Sequence, residues 1–181
     1  ERVRACEESE LRSAAKLNGE SLGRHSMGDD MYLRWDVPYR PGALVAVGTR
    51  HAERGAARQT VVHRHDTAGA PARIELTCEE ETIRADGTGI AHVLARIVDA
   101  EGRFVPYAGN DVTIRVVGPG KLIGIENGDP IDTTNYKLDH RRMFRGMMLA
   151  IIQAGDNTGT IDVTASTEGM ETGMCRVRAA D

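Results

Sequence analysis

Gly118-Pro-Gly-Lys-Leu-Ile-Gly-Ile-Glu-Asn-Gly-Asp-Pro130 is the stretch on which the fold turns. Pro119 and Gly120 predict a turn, with proline fixing φ at one corner and glycine tolerating the conformation required at the next. Leu122, Ile123 and Ile125 read as a short buried strand interrupted at Gly124, where another backbone comes close. Asn127-Gly128 is the strongest two-residue reversal signal a sequence offers. Asp129-Pro130 keeps the chain extended as it leaves. Arg141-Arg-Met-Phe-Arg-Gly146 comes next, at a distance. Arg142 and Phe144 group with Gly118, Pro119, Gly120, Asn127, Gly128, Asp129 and Pro130 as one structural turn motif. Glycine and proline at this density specify backbone shape rather than side-chain chemistry, which points to architecture and not to catalysis.

Strands extend from this stretch in both directions. Before it, Ala72, Ile74, Leu76 and Cys78 alternate with Arg73, Glu75, Thr77 and Glu79. Asp86-Gly87 turns the chain, and Ala91, Val93, Ala95 and Ile97 form one face of a long strand. Asp99-Ala-Glu-Gly102 is a further reversal, and Val112, Ile114 and Val116 make the next strand. After it, 147–154 is apolar on both faces, as a central strand requires. Ile161, Val163 and Ala165 alternate with polar neighbours, and Cys175 and Val177 close the pattern.

The first third is less regular. Asn18-Gly19 between Ser13–Leu17 and Glu20–Arg24 predicts a hairpin with a type I′ turn. Leu33, Trp35 and Val37 alternate with Tyr32, Arg34 and Asp36, predicting a strand that stops at Pro38. Arg40-Pro-Gly-Ala43 carries a type II signature, Leu44–Val47 is a buried strand, His51–Gly55 a turn, and Gln59–Asp66 the return. Thr67-Ala-Gly-Ala-Pro71 is the candidate domain boundary. No segment sustains a helical period. Short alternating strands separated by turns predict an all-β chain of two tandem immunoglobulin-like β-sandwiches, residues 1–70 and 71–181.

Composition narrows the function classes. The 181 residues carry a formal net charge of -4, which is not the footprint of a nucleic-acid surface. No apolar run reaches membrane-spanning length. The chain starts at Glu1, so it is expected to be a piece of something longer. Cys6, Cys78 and Cys175, odd in number and widely spaced, argue against a disulfide scaffold or zinc knuckle. Cys78 ends an apolar face and reads as a small buried hydrophobe. Unpaired cysteines favour the cytoplasm over a periplasmic or secreted setting.

The candidate constellations are sparse. His63 and His65 share a strand face beside Asp66, but no third and fourth zinc ligand can be assigned, so a solvated face is favoured. Asn127, Asp129 and Asp132 offer oxygens to calcium at a spacing that fits no loop grammar, and side-chain-capped turns are favoured. Trp35 and Tyr39, if exposed, would stack on a sugar ring; Trp35 shares a face with Leu33 and Val37, which favours the core. A glycosidase needs only two carboxylates, yet none sits in a recognisable strand-end setting. No nucleophile elbow and no phosphate-binding glycine loop occurs. No catalytic residue, no metal and no cofactor is assigned.

Several stretches together resemble the C-terminal part of bacterial glycoside hydrolase family 2 enzymes of the β-galactosidase type. They are Leu17–Gly23, Trp35-Asp-Val-Pro-Tyr-Arg-Pro-Gly42, Ala85–Gly89, Val98–Gly102 with Val105-Pro106 and Asn110, Gly118–Gly120, Asn127–Pro130 and Arg142–Gly146. The resemblance runs from about Ser9 to Val177. It implies a parent with a catalytic TIM barrel bearing two glutamates, of which this chain would supply only the later β-sandwiches. A barrel alone takes about 250 residues. The family's acid/base glutamate follows an asparagine, and this sequence contains no Asn-Glu dipeptide. The family also has a more apolar strand where this chain has Arg12-Ser-Ala-Ala-Lys16, so the first sandwich is expected to be truncated or divergent at its start. The resemblance therefore implies a non-catalytic accessory region that partners the remaining domains and supports the barrel, the active-site rim or oligomer contacts. Two rivals stand beside it. One is a stand-alone carbohydrate-binding module using Trp35 and Tyr39. The other is a surface adhesion repeat, which Trp35–Gly42 and Asn127–Pro130 do not fit.

Overall fold

A computed structural model describes residues 11–26, 32–50 and 59–181. The turn expected at His51–Gly55 and Cys6 lie outside the described residues. The chain is all-β, with no helix among the described residues, and divides into two compact units, Glu1–Thr67 and Ala68–Asp181.

In the first unit β1 (Leu11–Leu17), β2 (Glu20–Ser26), β3 (Ala43–Arg50) and β4 (Gln59–Asp66) form one antiparallel sheet in the order β2-β1-β3-β4. Asn18 and Gly19 have φ of 53° and 85°, the positive pair that a type I′ hairpin turn demands. Asn18 has a second role: its side chain donates to Pro41 O and accepts from the Ala43 amide. A Cβ at Gly42 would fall on that carboxamide. The polar run Arg12–Lys16 nonetheless forms a central strand, laddered to both β2 and β3.

The strand expected at Tyr32–Val37 is not one. These residues are extended but join no ladder. The alternation is real, since Leu33, Trp35 and Val37 are half-buried and Tyr32, Arg34 and Asp36 are exposed. It reflects packing rather than pairing: Trp35 stacks on His25 of β2 at 4.8 Å. Alternation reports a period of two, and an extended chain laid over a sheet has that period without the ladder. β4 is exposed along nearly its whole length, with Val61 and Val62 on opposite faces.

The second unit is a two-layer sandwich. One sheet holds β5 (Arg73–Cys78), β7 (Ile90–Val98), β11 (Met147–Ala154) and β9 (Gly120–Glu126), in the order β5-β7-β11-β9. The other holds β10 (His140–Arg142), β8 (Asp111–Val117), β12 (Gly159–Ser166), β13 (Gly173–Ala180) and β6 (Thr82–Arg84), in the order β10-β8-β12-β13-β6. Ala91, Val93, Ala95 and Ile97 of β7 are fully buried, as are Ala150 and Ile152 of β11. They form one core with Val112, Ile161, Val163 and Ala165 of the opposite sheet. Each residue points inward because side chains on a strand alternate, and branched and small residues interleave to fill the layer.

The chain crosses between the sheets at Gly118-Pro119, directly after β8 and before β9. Gly120 is therefore not a turn residue but the first of β9. The turn glycine is Gly118, with φ of 116° and an ideal Cβ only 2.2 Å from Thr160 O. The Asn127-Gly128 reversal also differs from expectation. Gly128 has φ of 74°, but positive φ in a non-glycine residue is found among the described residues only at Asn18 and Arg145. The second type I′ pair is instead Arg145-Gly146, at 51° and 74°, closing Phe144 onto Met147. Arginine is not a turn signal; the position is set by Gly146, whose Cβ would lie 2.2 Å from Val105 O.

These two glycines separate conformational from steric cost. Gly128→Val adds a side chain in open space, so only the positive φ is penalised, by about 1–2 kcal/mol. Gly118→Ala meets both penalties and is expected to destabilise the sandwich more than Gly128→Val, as measured by denaturant unfolding. Equal losses would contradict the steric account of the crossing.

Candidate functional site

The loop after β9 is organised by side chains. Asn127 is buried; its Nδ2 donates to Asp132 Oδ2 at 2.7 Å and to Arg142 O at 2.9 Å, and its Oδ1 accepts from the Asp129 amide. Arg141, also buried, donates through Nε to Asp132 Oδ2 at 2.9 Å and through Nη1 to Ile125 O at 2.9 Å. The Thr134 hydroxyl and amide, joined by Arg141 and Asn127 and against partial burial, hold the Asp132 carboxyl well below the usual carboxylate range. The oxygens considered for calcium thus accept hydrogen bonds from the chain itself; Asp129 Oδ1 takes the Ile131 amide. With every one of these groups answered by a partner from a different segment, the network fixes the loop's shape. Arg141 is invisible in the sequence as a structural residue, because a sequence does not show which of two adjacent arginines on a strand faces inward.

Of the turn motif, Asn127, Asp129, Arg142 and Phe144 line an open groove of about 600 Å³. It is lined by the 106–109 segment, by Asn127, Asp129, Ile131 and Asp132, and by 142–145. Arg142 donates through Nε to Gly109 O at 2.9 Å, and the Arg145 guanidinium lies 5.5 Å from the Phe144 ring centre. Gly118, Pro119 and Gly120 do not line it. They belong to the crossing, where Pro119 O accepts from the Gly155 amide at 2.8 Å.

The aromatic pair of the first unit is split. Tyr39 is 80% exposed and borders a cavity of about 290 Å³ with Leu17, Val37, Leu44 and His65. Trp35 does not line that cavity, and its Nε1 is buried without a hydrogen-bond partner. His63 and His65 are exposed with ring centres 4.8 Å apart. Among the described residues no three His, Cys, Asp or Glu side chains gather as metal ligands.

Among the described residues Asp99 is the most deeply placed charge, with 1% of its surface exposed. Its carboxylate accepts from the amides of Gly69, Glu101 and Arg103 and from Arg103 Nε. Burial opposes ionisation, but the Gly69 and Arg103 amides and the Arg103 guanidinium outweigh it, bringing the carboxyl from 3.8 down to about 2. The sequence marks Asp99 as the first residue of a reversal, a common place for aspartate, but not as a buried anchor. Cys78 and Cys175 are both half-buried and unbridged, and burial pushes the thiols up, Cys175 to about 11.

Two packed sheets, turns locked by hydrogen-bonded carboxylates and an open groove define an immunoglobulin-like β-sandwich module. Comparison with known proteins narrows this. The family profile for glycoside hydrolase family 2 C-terminal domain 5 matches residues 74–176, and a profile for a domain of unknown function matches 3–55. The chain belongs to glycoside hydrolase family 2, as part of its C-terminal region. A β-galactosidase of Bacteroides ovatus is 31% identical over 166 residues, covering 91% of this chain and 19% of that protein. A β-glucuronidase of Formosa agariphila is 31% identical over 109 residues, covering 59% of this chain and 11% of that protein. Among solved structures, a β-glycosidase from Bacteroides vulgatus superposes with a TM-score of 0.82 at 27% identity, over 93% of this chain and 21% of the other. The chain thus spans about a fifth or less of these relatives.

Because the Asp99 carboxyl is depressed in the folded state, its contribution is intact above the unfolded value of 3.8 and is lost as pH falls toward about 2. Denaturant midpoints measured from pH 5 to 2 are expected to fall less steeply in Asp99→Asn than in the parent; parallel curves would refute the assignment. Alkylation at pH 8 is expected to label Cys175 slowly in the folded protein. Both Cys78 and Cys175 should react fully after unfolding without reductant, and a protected pair at that stage would reveal a disulfide.

Proposed function

We propose that this chain is a non-catalytic accessory region of a β-galactosidase-type hydrolase, working with a catalytic barrel carried elsewhere in the parent. Its work is to buttress that barrel, shape the rim of its active site or support contacts between subunits. The observation that carries the reading is the alignment itself: 91% of this chain matches 19% of a β-galactosidase. The electrostatics agree with it. Glycosidic cleavage needs a carboxylic acid held protonated near neutral pH. The displaced carboxyls here move the other way: Glu80 through the His92 amide, Asp86 through the Thr88 hydroxyl, Asp139 through His140, with Asp99 and Asp132 as described. Two unbridged thiols support a reducing compartment such as the cytoplasm.

A second reading, a carbohydrate contact in the first unit, is favoured by Tyr39, exposed at the edge of its cavity. Trp35, turned toward His25, does not join it.

The isolated chain is expected to release no chromophore from nitrophenyl β-galactoside or β-glucuronide. Deleting the corresponding region from the parent is expected to lower its melting temperature, its kcat or its assembly state. Turnover by the purified chain that disappears on mutating one of its own carboxylates would overturn the proposal. So would a deleted parent unchanged in all three measurements.

A further inference from the structure

The groove beside Asn127 combines three features that the accessory role does not use. Its shape is set in advance: Asn127, Asp132 and Arg141 fix one wall, and the Arg145-Gly146 turn fixes another. Its volume of about 600 Å³ lies in the range of small-ligand pockets, commonly about 300–1,000 Å³. It also presents apolar and charged groups side by side. Tyr107 is 65% exposed and tethered through its hydroxyl to Gly69 O at 2.7 Å, while Phe144 and the 84%-exposed Ile131 complete the apolar surface.

The charged groups point to one chemistry. Arg142 is anchored through Nε to Gly109 O, leaving its remaining N–H donors uncommitted. Arg145 is held over Phe144. Among the described residues neither guanidinium has a carboxylate within ion-pair distance, although Asp132 of the same groove pairs with Arg141. Two guanidinium groups lining one groove, neither paired with a carboxylate among the described residues, offer their N–H donors to a planar anion. Asp129 gives one oxygen to the Ile131 amide, and its other oxygen is open to a hydroxyl donor. Arg145 also holds a φ of 51°, a conformation glycine would adopt at no cost. A strained arginine at the mouth of a groove is an observation from which function can be inferred.

We propose that this groove binds a saccharide bearing a carboxylate. The C–H face of the sugar rests on Tyr107 and Phe144. Its carboxylate is taken by Arg142 and Arg145, and a ring hydroxyl donates to Asp129. A neutral sugar would keep the stacking and the hydroxyl contact but leave the two guanidinium groups unsatisfied.

The test is calorimetric titration of the full 181-residue chain with a disaccharide containing glucuronic acid and with the same disaccharide after reduction of its carboxyl to the alcohol. The acidic sugar is expected to bind saturably, and the reduced sugar about tenfold or more weaker. Arg145→Gly removes one fork while relaxing the backbone, so its melting temperature should not fall, and its affinity for the acidic sugar should drop by about tenfold. Arg142→Gln should weaken the acidic sugar in the same sense. Equal affinity for the two sugars, an unaltered affinity in Arg145→Gly, or no saturable heat with either sugar up to several millimolar would each overturn the proposal. The last outcome is also the one expected if a protein segment, and not a sugar, fills the groove.

Discussion

The sandwich of the second unit depends on a chain that must leave one sheet and enter the other within two residues. That step is possible only where nothing projects from the backbone, because at Gly118 the space a side chain would need is filled by Thr160 O. Once the crossing is made, β9 must pair with β11, and β8 must pair with β12 in the opposite layer. The two strands flanking the crossing thus commit both layers to their partners. Hydrophobic burial provides the driving force, but the crossing decides which sheet each apolar strand joins.

Polar groups then fix what the apolar layers leave undetermined. Two apolar faces can slide over each other with little change in buried area, whereas a buried carboxylate with four donors has a single satisfactory arrangement. Asp99 holds its turn against Gly69, and Asp132 holds the 127–134 loop against Arg141. Both sit at the rim of the sandwich, where irregular backbone would otherwise lack hydrogen-bond partners. The groove is a by-product of the second of these anchors.

The strands are legible because burial writes a period of two into the sequence, as the β7 residues Ala91, Val93, Ala95 and Ile97 show. The same signal misleads at Leu33, Trp35 and Val37, where an extended segment packs without pairing. Glycine is legible as punctuation but not in its role. The turn expected at Pro119-Gly120 falls at Gly118-Pro119, and the type I′ pair at Arg145-Gly146 is hidden behind an arginine. Buried charge is only partly legible. Asp99 opens a visible reversal and takes three of its four donors from Glu101 and Arg103, but nothing local shows that Gly69 covers it. Nothing local distinguishes Arg141 from the exposed Arg142, since Asp132 and Ile125 lie well away in sequence. The groove is hidden for the same reason: its walls come from three separated segments.

Among the described residues β4 is the last strand of the first sheet, with valines standing out on both faces. Such a strand is a template for a further strand from any chain that meets it. Arg64, bonded to Asp66 along the same strand, places charge on that edge, the usual means by which natural sheets discourage unwanted pairing. The first unit handled by itself should therefore be prone to self-association. Its solubility should be most sensitive to replacement of Arg64, whose neighbours His65 and Asp66 line the cavity of that unit.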